Sequence, residues 1–333
     1  MTLFLDSDDI RALATDSVCE QAAMTAVHAE SSGRCRLPGR IDVPSGNGFL
    51  RVMPAVLDSV MGLKVMTLAE GIGNRYLVLL YAVGSGELLG AFDAEELTRL
   101  RTSAFTAAAA KLMVHEAPRT LALIGSGFEA EGHLRALSRL WDFTAVSVFS
   151  PSPERRAAFA ARHAAESGKP VDAVETAERA VADADLVMLA TKSRTAVLDG
   201  AAVKTGAVVL SVGSTRPNLR ELDAATMRRT GTLVVDDTAQ VTAESGDVMC
   251  GLRDGDLTID RLVSVATLSE HPELLLREEG RDLVTFKSVG TALQDLALAQ
   301  LVLTAAVAAG RGRDLGELAA LKPFADNAVR VSS

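Results

Sequence analysis

Residues Leu121–Leu137 read LALIGSGFEAEGHLRAL: an apolar run, a glycine turn and a helical pattern, in that order. Two readings compete for GSGFEA, Gly125–Ala130. It is either a cradle for the phosphates of a dinucleotide or a turn that only joins a strand to a helix. Gly125 permits the tight turn, Gly127 lets the backbone approach a pyrophosphate, and Ala130 permits close packing of helix on strand. Ser126, Phe128 and Glu129 complete the loop. The first turn of the helix offers N–H groups without intrahelical partners to an anion. Alone the pattern is weak, and its surroundings have to support it.

The surroundings do so. From Thr120 onward TLALIG, AVSVFS, LVMLAT, AVVLSVG and TLVVDD are short, almost unbroken apolar runs separated by Ala- and Arg-rich helical stretches. Strands covered on both faces read this way, and such alternation predicts a doubly wound parallel sheet of Rossmann type. Ligands of open sheets bind at the carboxyl ends of the strands. That places Thr191 and Ser193 after the fourth strand, and Val212, Gly213, Ser214 and Thr215 after the fifth, at a nicotinamide and its ribose. Ser288 and Gly290, in FKSVG, are expected to close over the same ring. At the end of the second strand, SVFSPSPERR has Ser150, Ser152, Arg155 and Arg156 where an acidic ribose ligand is usual. Hydroxyls and a guanidinium suit a 2′-phosphate, so NADP(H) is preferred and NAD(H) remains possible. The alternative has solvated arginines and Glu154 on the ribose.

Residues before Thr120 follow a different rhythm. Residues 8–32 look helical behind an acidic DSDD cap; strands then alternate with Gly, Pro and Asn turns up to a helix that starts at Asp93. An α+β substrate-binding and dimerisation domain over 1–115 and 293–333 is predicted, with the dinucleotide domain at 116–292. The apolar helix at 291–310 returns to the first domain or to a subunit contact, since Gln294, Asp295 and Gln300 argue against a membrane span. The chain of 333 residues has 48% hydrophobic and 23% charged residues and a net charge of −9. That balance argues against a surface that coats nucleic acid or anionic membrane. Cys19, Cys35 and Cys250 form neither a disulfide framework nor a metal pair, and no signal peptide precedes them, so a cytoplasmic setting is expected. Histidines 28, 115, 133, 163 and 271 fall outside the predicted loops and are expected on helix surfaces or at caps. Asp236 and Asp237 end a strand, where a cap or structural role is favoured over a metal pair.

An anionic ligand must then be held locally, and Arg40, Arg51, Lys64 and Arg101 are the candidates. Lys64 stands inside the apolar run MGLKVMTL. Burial depresses a lysine's pKa and suits it to proton transfer; the alternative is that it only edges a strand. Arg101-Thr102 is expected to open an Ala-rich helix whose N-terminal N–H groups add to the anion site.

Taken in order, RLPGRI, RVMPAV, GLKVMTL, GELLGAFDAEELTRLRTSAFTAAAA, LIGSGFEA, VGSTRPNLRELD and FKSVGTALQDLALA resemble the ornithine cyclodeaminase/mu-crystallin family across nearly the whole chain. The resemblance implies a homodimer whose first domain holds an α-amino or α-imino acid against a nicotinamide cofactor. It implies that Arg40, Lys64 and Arg101 grip the substrate carboxylate, and that Thr102 touches the cofactor. Thr215 stands where cyclodeaminases carry an aspartate, and Arg51 where they carry an acid that suits a diamino substrate. The implied activity is therefore that of a cyclic ketimine reductase or amino-acid dehydrogenase. A cyclodeaminase that recycles NAD internally is the alternative, and a crystallin-like protein that binds NADPH without turnover is the alternative from another class.

Overall fold

The computed structural model describes residues 2–322. Two eight-stranded sheets divide them. The second is parallel throughout, in the order Val171–Ala173, Ala145–Phe149, Thr120–Ile124, Leu186–Leu189, Val208–Ser211, Leu283–Lys287, Thr230–Val235, Leu262–Ser264. The chain reverses direction across the sheet at Thr120–Ile124, so the glycine turn that follows this strand lies at the switch point where ligands of such sheets bind. Three strands go beyond the five apolar runs. Val171–Ala173 and Leu262–Ser264 are too short to show a period. Leu283–Lys287 ends in a lysine, which disguises a strand that is buried at every position.

The first sheet runs Arg313–Asp314, Leu3–Leu5, Leu88–Asp93, Gly73–Ala82, Val60–Ala69, Gly48–Leu57, Cys35–Arg36, and Ile41–Ser45 also pairs with Gly48–Leu57. It is antiparallel apart from the parallel pair Leu3–Leu5 and Leu88–Asp93. Helices Ala94–Met113 and Ala292–Ala309 cover its inner face, with helix Asp16–Ser31 packed behind them. The inner face includes the cross-strand row Met53, Lys64, Val78, Phe92, all buried. The opposite face is also apolar in part. Three of its rows, Ile41–Val52–Val65–Leu77, Pro54–Leu63–Leu79 and Val56–Met61–Tyr81, are apolar, and the next, Val43–Leu50–Thr67–Arg75, turns polar. None of these residues is fully buried, and Ile41 is 58% exposed.

The 8–32 stretch forms two helices, Ser7–Leu13 and Asp16–Ser31, because Thr15 takes an extended backbone and caps the second. The first is capped by Asp6, the leading residue of the predicted DSDD cap, and starts at Ser7, one residue before the predicted stretch. Helix Ala292–Ala309 is long and apolar enough to cross a membrane, yet 56% of it is buried in the fold and it carries the buried Asp295. Two histidines depart from the surface placement. His133 is fully buried, with Nδ1 2.7 Å from the Glu129 carbonyl and Nε2 3.2 Å from Thr106 Oγ1, and burial holds its ring below the usual pKa. His163 is packed at 4.3 Å on the Phe159 ring.

Candidate active site

Lys64 lies in the middle of strand Val60–Ala69, with its side chain beneath helices Ala94–Met113 and Ala292–Ala309. Its ammonium donates to Thr98 Oγ1 at 2.7 Å and to Asp295 Oδ1 at 3.1 Å, and stands 5.1 Å from the centre of the Tyr76 ring. Only 2% of Lys64 is exposed. Loss of hydration lowers its pKa to about 8, against the pull of Asp295, which raises it. Arg101 reaches the same carboxylate: Nε donates to Asp295 Oδ1 at 2.9 Å and Nη1 to Gln294 Oε1 at 2.7 Å. Two cations thus share one buried carboxylate oxygen, an excess of positive charge that suits the site to an anion.

Arg101 does not open its helix. The helix starts at Ala94, so Arg101 sits two turns in, where its backbone N–H belongs to the helical ladder. The anion site there is built by side chains alone. Thr102 donates its hydroxyl to the Thr98 carbonyl at 2.6 Å, as helical threonines do.

Arg40 binds the first part of the chain to the second. Its Nη2 donates to the carbonyls of Gly290 at 2.8 Å and Val289 at 3.2 Å and to Gln240 at 3.2 Å. Its Nε forms an ion pair with Glu244 at 2.5 Å that lies off the hydrogen-bonding direction. Gly290, at φ +77°, is the meeting point: a Cβ there would sit 2.7 Å from the Arg101 guanidinium. Arg51 is engaged by Asp42 directly across the strands, through two bonds of 2.6 Å. Arg51 is thus ion-paired, as Arg40 is with Glu244 and Arg101 with Asp295.

The parallel sheet presents the other wall. Gly125, at φ +128°, makes the turn, and a Cβ on it would be 2.6 Å from the Ala190 carbonyl. Gly127 begins helix Phe128–Leu140 without a side-chain cap, and nothing stands within 4 Å of the place a Cβ would take. That open cradle above unpartnered N–H groups fits a phosphate. Ser126 and Ser150 are joined through their hydroxyls at 2.8 Å. Ser152 caps helix Pro153–Ser167; Arg155 is exposed beside it, while Arg156 bonds the Ser150 carbonyl at 2.8 Å. Glu129, in the first turn of helix Phe128–Leu140, acts on Lys64 electrostatically and raises its pKa. Its Oε2, Asp295 Oδ2 and Gln294 Nε2 are buried polar atoms without a hydrogen-bond partner. Such atoms are costly unless a ligand meets them.

Several hydroxyls predicted to face a cofactor are spent within the protein. Ser193 bonds the Thr195 carbonyl at 2.6 Å, Thr191 donates to Glu221 at 2.9 Å, and the buried Ser214 donates to Asp247. Ser288 donates to Asp236 at 2.7 Å; that carboxylate also receives the N–H groups of Val289 at 3.1 Å and Gly290 at 2.6 Å. Those loops are therefore held in shape by the carboxylates beneath them, Glu221, Asp247 and Asp236. Val212 is buried and Thr215 half-buried at the end of theirs. Asp237 caps helix Thr238–Glu244. The sequence places Gln294 and Asp295 only as polar breaks in an apolar helix, and gives no site role to Glu221, Asp247 or Lys287. An acid in the first turn of an otherwise apolar helix was the available signal for Asp295. Among the described residues, no group of three or more His, Cys, Asp or Glu side chains is set to hold a metal ion.

Comparison with known proteins adds to this geometry. The profile of the Ornithine cyclodeaminase/mu-crystallin family matches residues 2–310. The Delta(1)-pyrroline-2-carboxylate/Delta(1)-piperideine-2-carboxylate reductase of Azospirillum brasilense is 33% identical over 82% of this chain and 86% of its own. The Thermococcus litoralis Delta(1)-pyrroline-2-carboxylate reductase in complex with NADH and L-proline superposes with a TM-score of 0.86, at 27% identity, over 94% of this chain and 100% of that one. An archaeal alanine dehydrogenase dimer with bound NAD does so with a TM-score of 0.86, at 25% identity, over 94% and 98%.

Proposed function

The chain belongs to the ornithine cyclodeaminase/mu-crystallin family, and on that footing we propose that it is an NAD(P)H-dependent reductase of cyclic α-imino acids. The observation that carries this reading is the pair Lys64 and Arg101 on one oxygen of Asp295, with Glu129 of the glycine turn beside them. When bound, the nicotinamide supplies a hydride to the imine carbon, is itself oxidised, and leaves the nitrogen to take a proton. Arg101 holds the substrate carboxylate, with Arg40 at the neighbouring Gly290. Lys64, poised near neutral pH, delivers the proton to nitrogen. Thr215 has no carboxylate to serve as a base for cyclisation, which supports a reductase over a cyclodeaminase. The test is oxidation of NADPH and NADH with pyrroline-2-carboxylate and piperideine-2-carboxylate. Ammonia release from ornithine without net change in cofactor would establish the cyclodeaminase, and tight cofactor binding without turnover the crystallin-like protein.

NADP(H) is the preferred cofactor, for which the exposed Arg155 at the helix cap Ser152 is the support. Arg155→Ala is expected to reduce the ratio of NADPH to NADH affinity about tenfold, as measured by fluorescence titration; an unchanged ratio assigns the 2′ end to other residues. Gly127→Ser gives an expectation of opposite signs. A serine hydroxyl would cap the helix, so the melting temperature holds or rises. The same hydroxyl would occupy the N–H groups meant for phosphate, and dinucleotide affinity is expected to fall about 10- to 100-fold. Retained affinity would remove the glycine cradle from the site.

A homodimer is part of the proposal. The three apolar rows on the outer face of the first sheet break the inside–outside alternation of a sheet with one solvated face, and a second copy of the same face would cover them.

A further inference from the structure

Beneath the loops after strands Leu186–Leu189 and Val208–Ser211 lies a network of charged and hydroxyl groups that no step above uses. Ser211, Ser214, Glu221, Asp247 and Lys287 all have 0% exposure. The Glu221 carboxylate accepts four bonds from two loops. Oε1 takes Thr191 N at 2.6 Å and Thr191 Oγ1 at 2.9 Å; Oε2 takes Ser211 Oγ at 2.7 Å and Gly213 N at 2.8 Å. Lys287, from the neighbouring strand, donates to Ser211 Oγ at 2.9 Å and faces Glu221 at 3.7 Å and Asp247 at 3.3 Å. Asp247 in turn takes the N–H groups of Glu221 at 2.8 Å and Leu222 at 2.9 Å, together with the Ser214 hydroxyl. Gly213 has no room for a Cβ, which would lie inside the Thr191 carbonyl.

This is an expensive arrangement in a buried place. Removing a carboxylate and an ammonium from water is costly, and a sheet needs neither to hold together. The network does one thing that apolar packing would not: it ties two loops from different strands to a single rigid group. Both loops are at the carboxyl edge of the sheet, where ligands of open parallel sheets bind, and neither contains the glycine cradle.

We infer that Glu221, balanced by Lys287 and fixed by Asp247, is a positioning residue that clasps the 191–193 and 212–214 loops into the shape required by the nicotinamide half of the cofactor. The inference rests on the dinucleotide reading of the site. A carboxylate only accepts, whereas the amide of Glu221→Gln turns an N–H2 group toward two of the four donors. The clasp should then open on one side without loss of volume.

The experiment titrates NADPH and 2′,5′-ADP, its adenosine half, against the wild type, Glu221→Gln and Ser211→Ala, with hydrogen exchange at the Thr191 and Gly213 amides. Glu221→Gln is expected to weaken NADPH about tenfold or more, to change 2′,5′-ADP by less than about twofold, and to speed exchange at both amides. Ser211→Ala removes one donor to Glu221 and the acceptor of Lys287, whose ammonium keeps its ion pair with Asp247 at 3.3 Å, and is expected to shift NADPH about threefold in the same direction. If Glu221→Gln does not fold, Ser211→Ala decides alone. Equal weakening of both ligands marks a merely structural network and overturns the inference, as does unchanged affinity for NADPH. A wild type that binds NADPH but reduces no imine overturns the proposed function and leaves the clasp standing. A wild type that binds no dinucleotide overturns both.

Discussion

Lys64→Met is expected to lower kcat/KM for reduction of a cyclic imino acid by about 10²- to 10⁴-fold, while dinucleotide affinity stays within about twofold. Methionine has nearly the lysine's volume, and Asp295 keeps its bond from Arg101, so the substitution leaves no carboxylate stranded. The fold should survive a change that removes the proton donor. The pH profile carries the sharper signature. Reduction needs the ammonium form of Lys64, so kcat/KM is flat below pH 8 and declines tenfold per unit above it; oxidation of the amino acid needs the amine and rises up to the same point. Asp295 raises the Lys64 pKa, whereas Arg101 lowers it. Asp295→Asn should therefore move the break to lower pH, and Arg101→Gln to higher. Glu129 supports the ammonium from the opposite wall, and Thr98 and Tyr76 carry no charge at that pH. A variant of Lys64 with full activity would transfer the proton step to another group.

Leu63→Asp is expected to convert a dimer into monomers. Leu63 is in the central strand of the outer face, between Pro54 and Leu79. A two-fold interface would contain the new carboxylate twice, each unpaired among apolar side chains. Burying an unpaired charge costs about 3–5 kcal/mol, so the two together exceed most of what a standard interface supplies. Sedimentation should report half the mass. The inner face, with Met53, Val78 and Phe92 around Lys64, is untouched, so the monomer should retain its fold by circular dichroism. A dimer that persists would place the contact elsewhere on the molecule.

The parallel sheet was legible because its strands are apolar on both sides and its glycine turn sits between a strand and a helix. Lys64 was legible for the converse reason, a charge inside an apolar run. What surrounds these residues was not. Asp295 lies 231 positions from Lys64 and Glu221 lies 30 from Thr191, and no local period marks a partner that tertiary packing supplies. Arg101 was placed at a helix start because the Ala-rich run begins there. The helix begins at Ala94 behind the Asp93 cap, in line with the start read at Asp93, so Arg101 lies inside it. His133 looked like a surface residue because a helix of mixed polarity has a surface; that face of its helix packs on helix Ala94–Met113. Serines at strand ends suggested ligand contacts, although a buried carboxylate competes for hydroxyls as strongly as a ribose does.

Strand Leu283–Lys287 joins Val208–Ser211 to Thr230–Val235, and through the latter to Leu262–Ser264. Assembly therefore has a keystone that leaves the ribosome late: two strands made earlier have nowhere to dock until residue 287 has emerged. Until then the nascent chain shows bare, apolar margins on either side of the gap, the condition in which unfinished sheets aggregate. A ribosome-stalled chain ending before Leu283 should accordingly be captured by chaperones and digested by protease, whereas one whose residues through Ala309 have emerged, so that helix Ala292–Ala309 also covers the first sheet, should resist both.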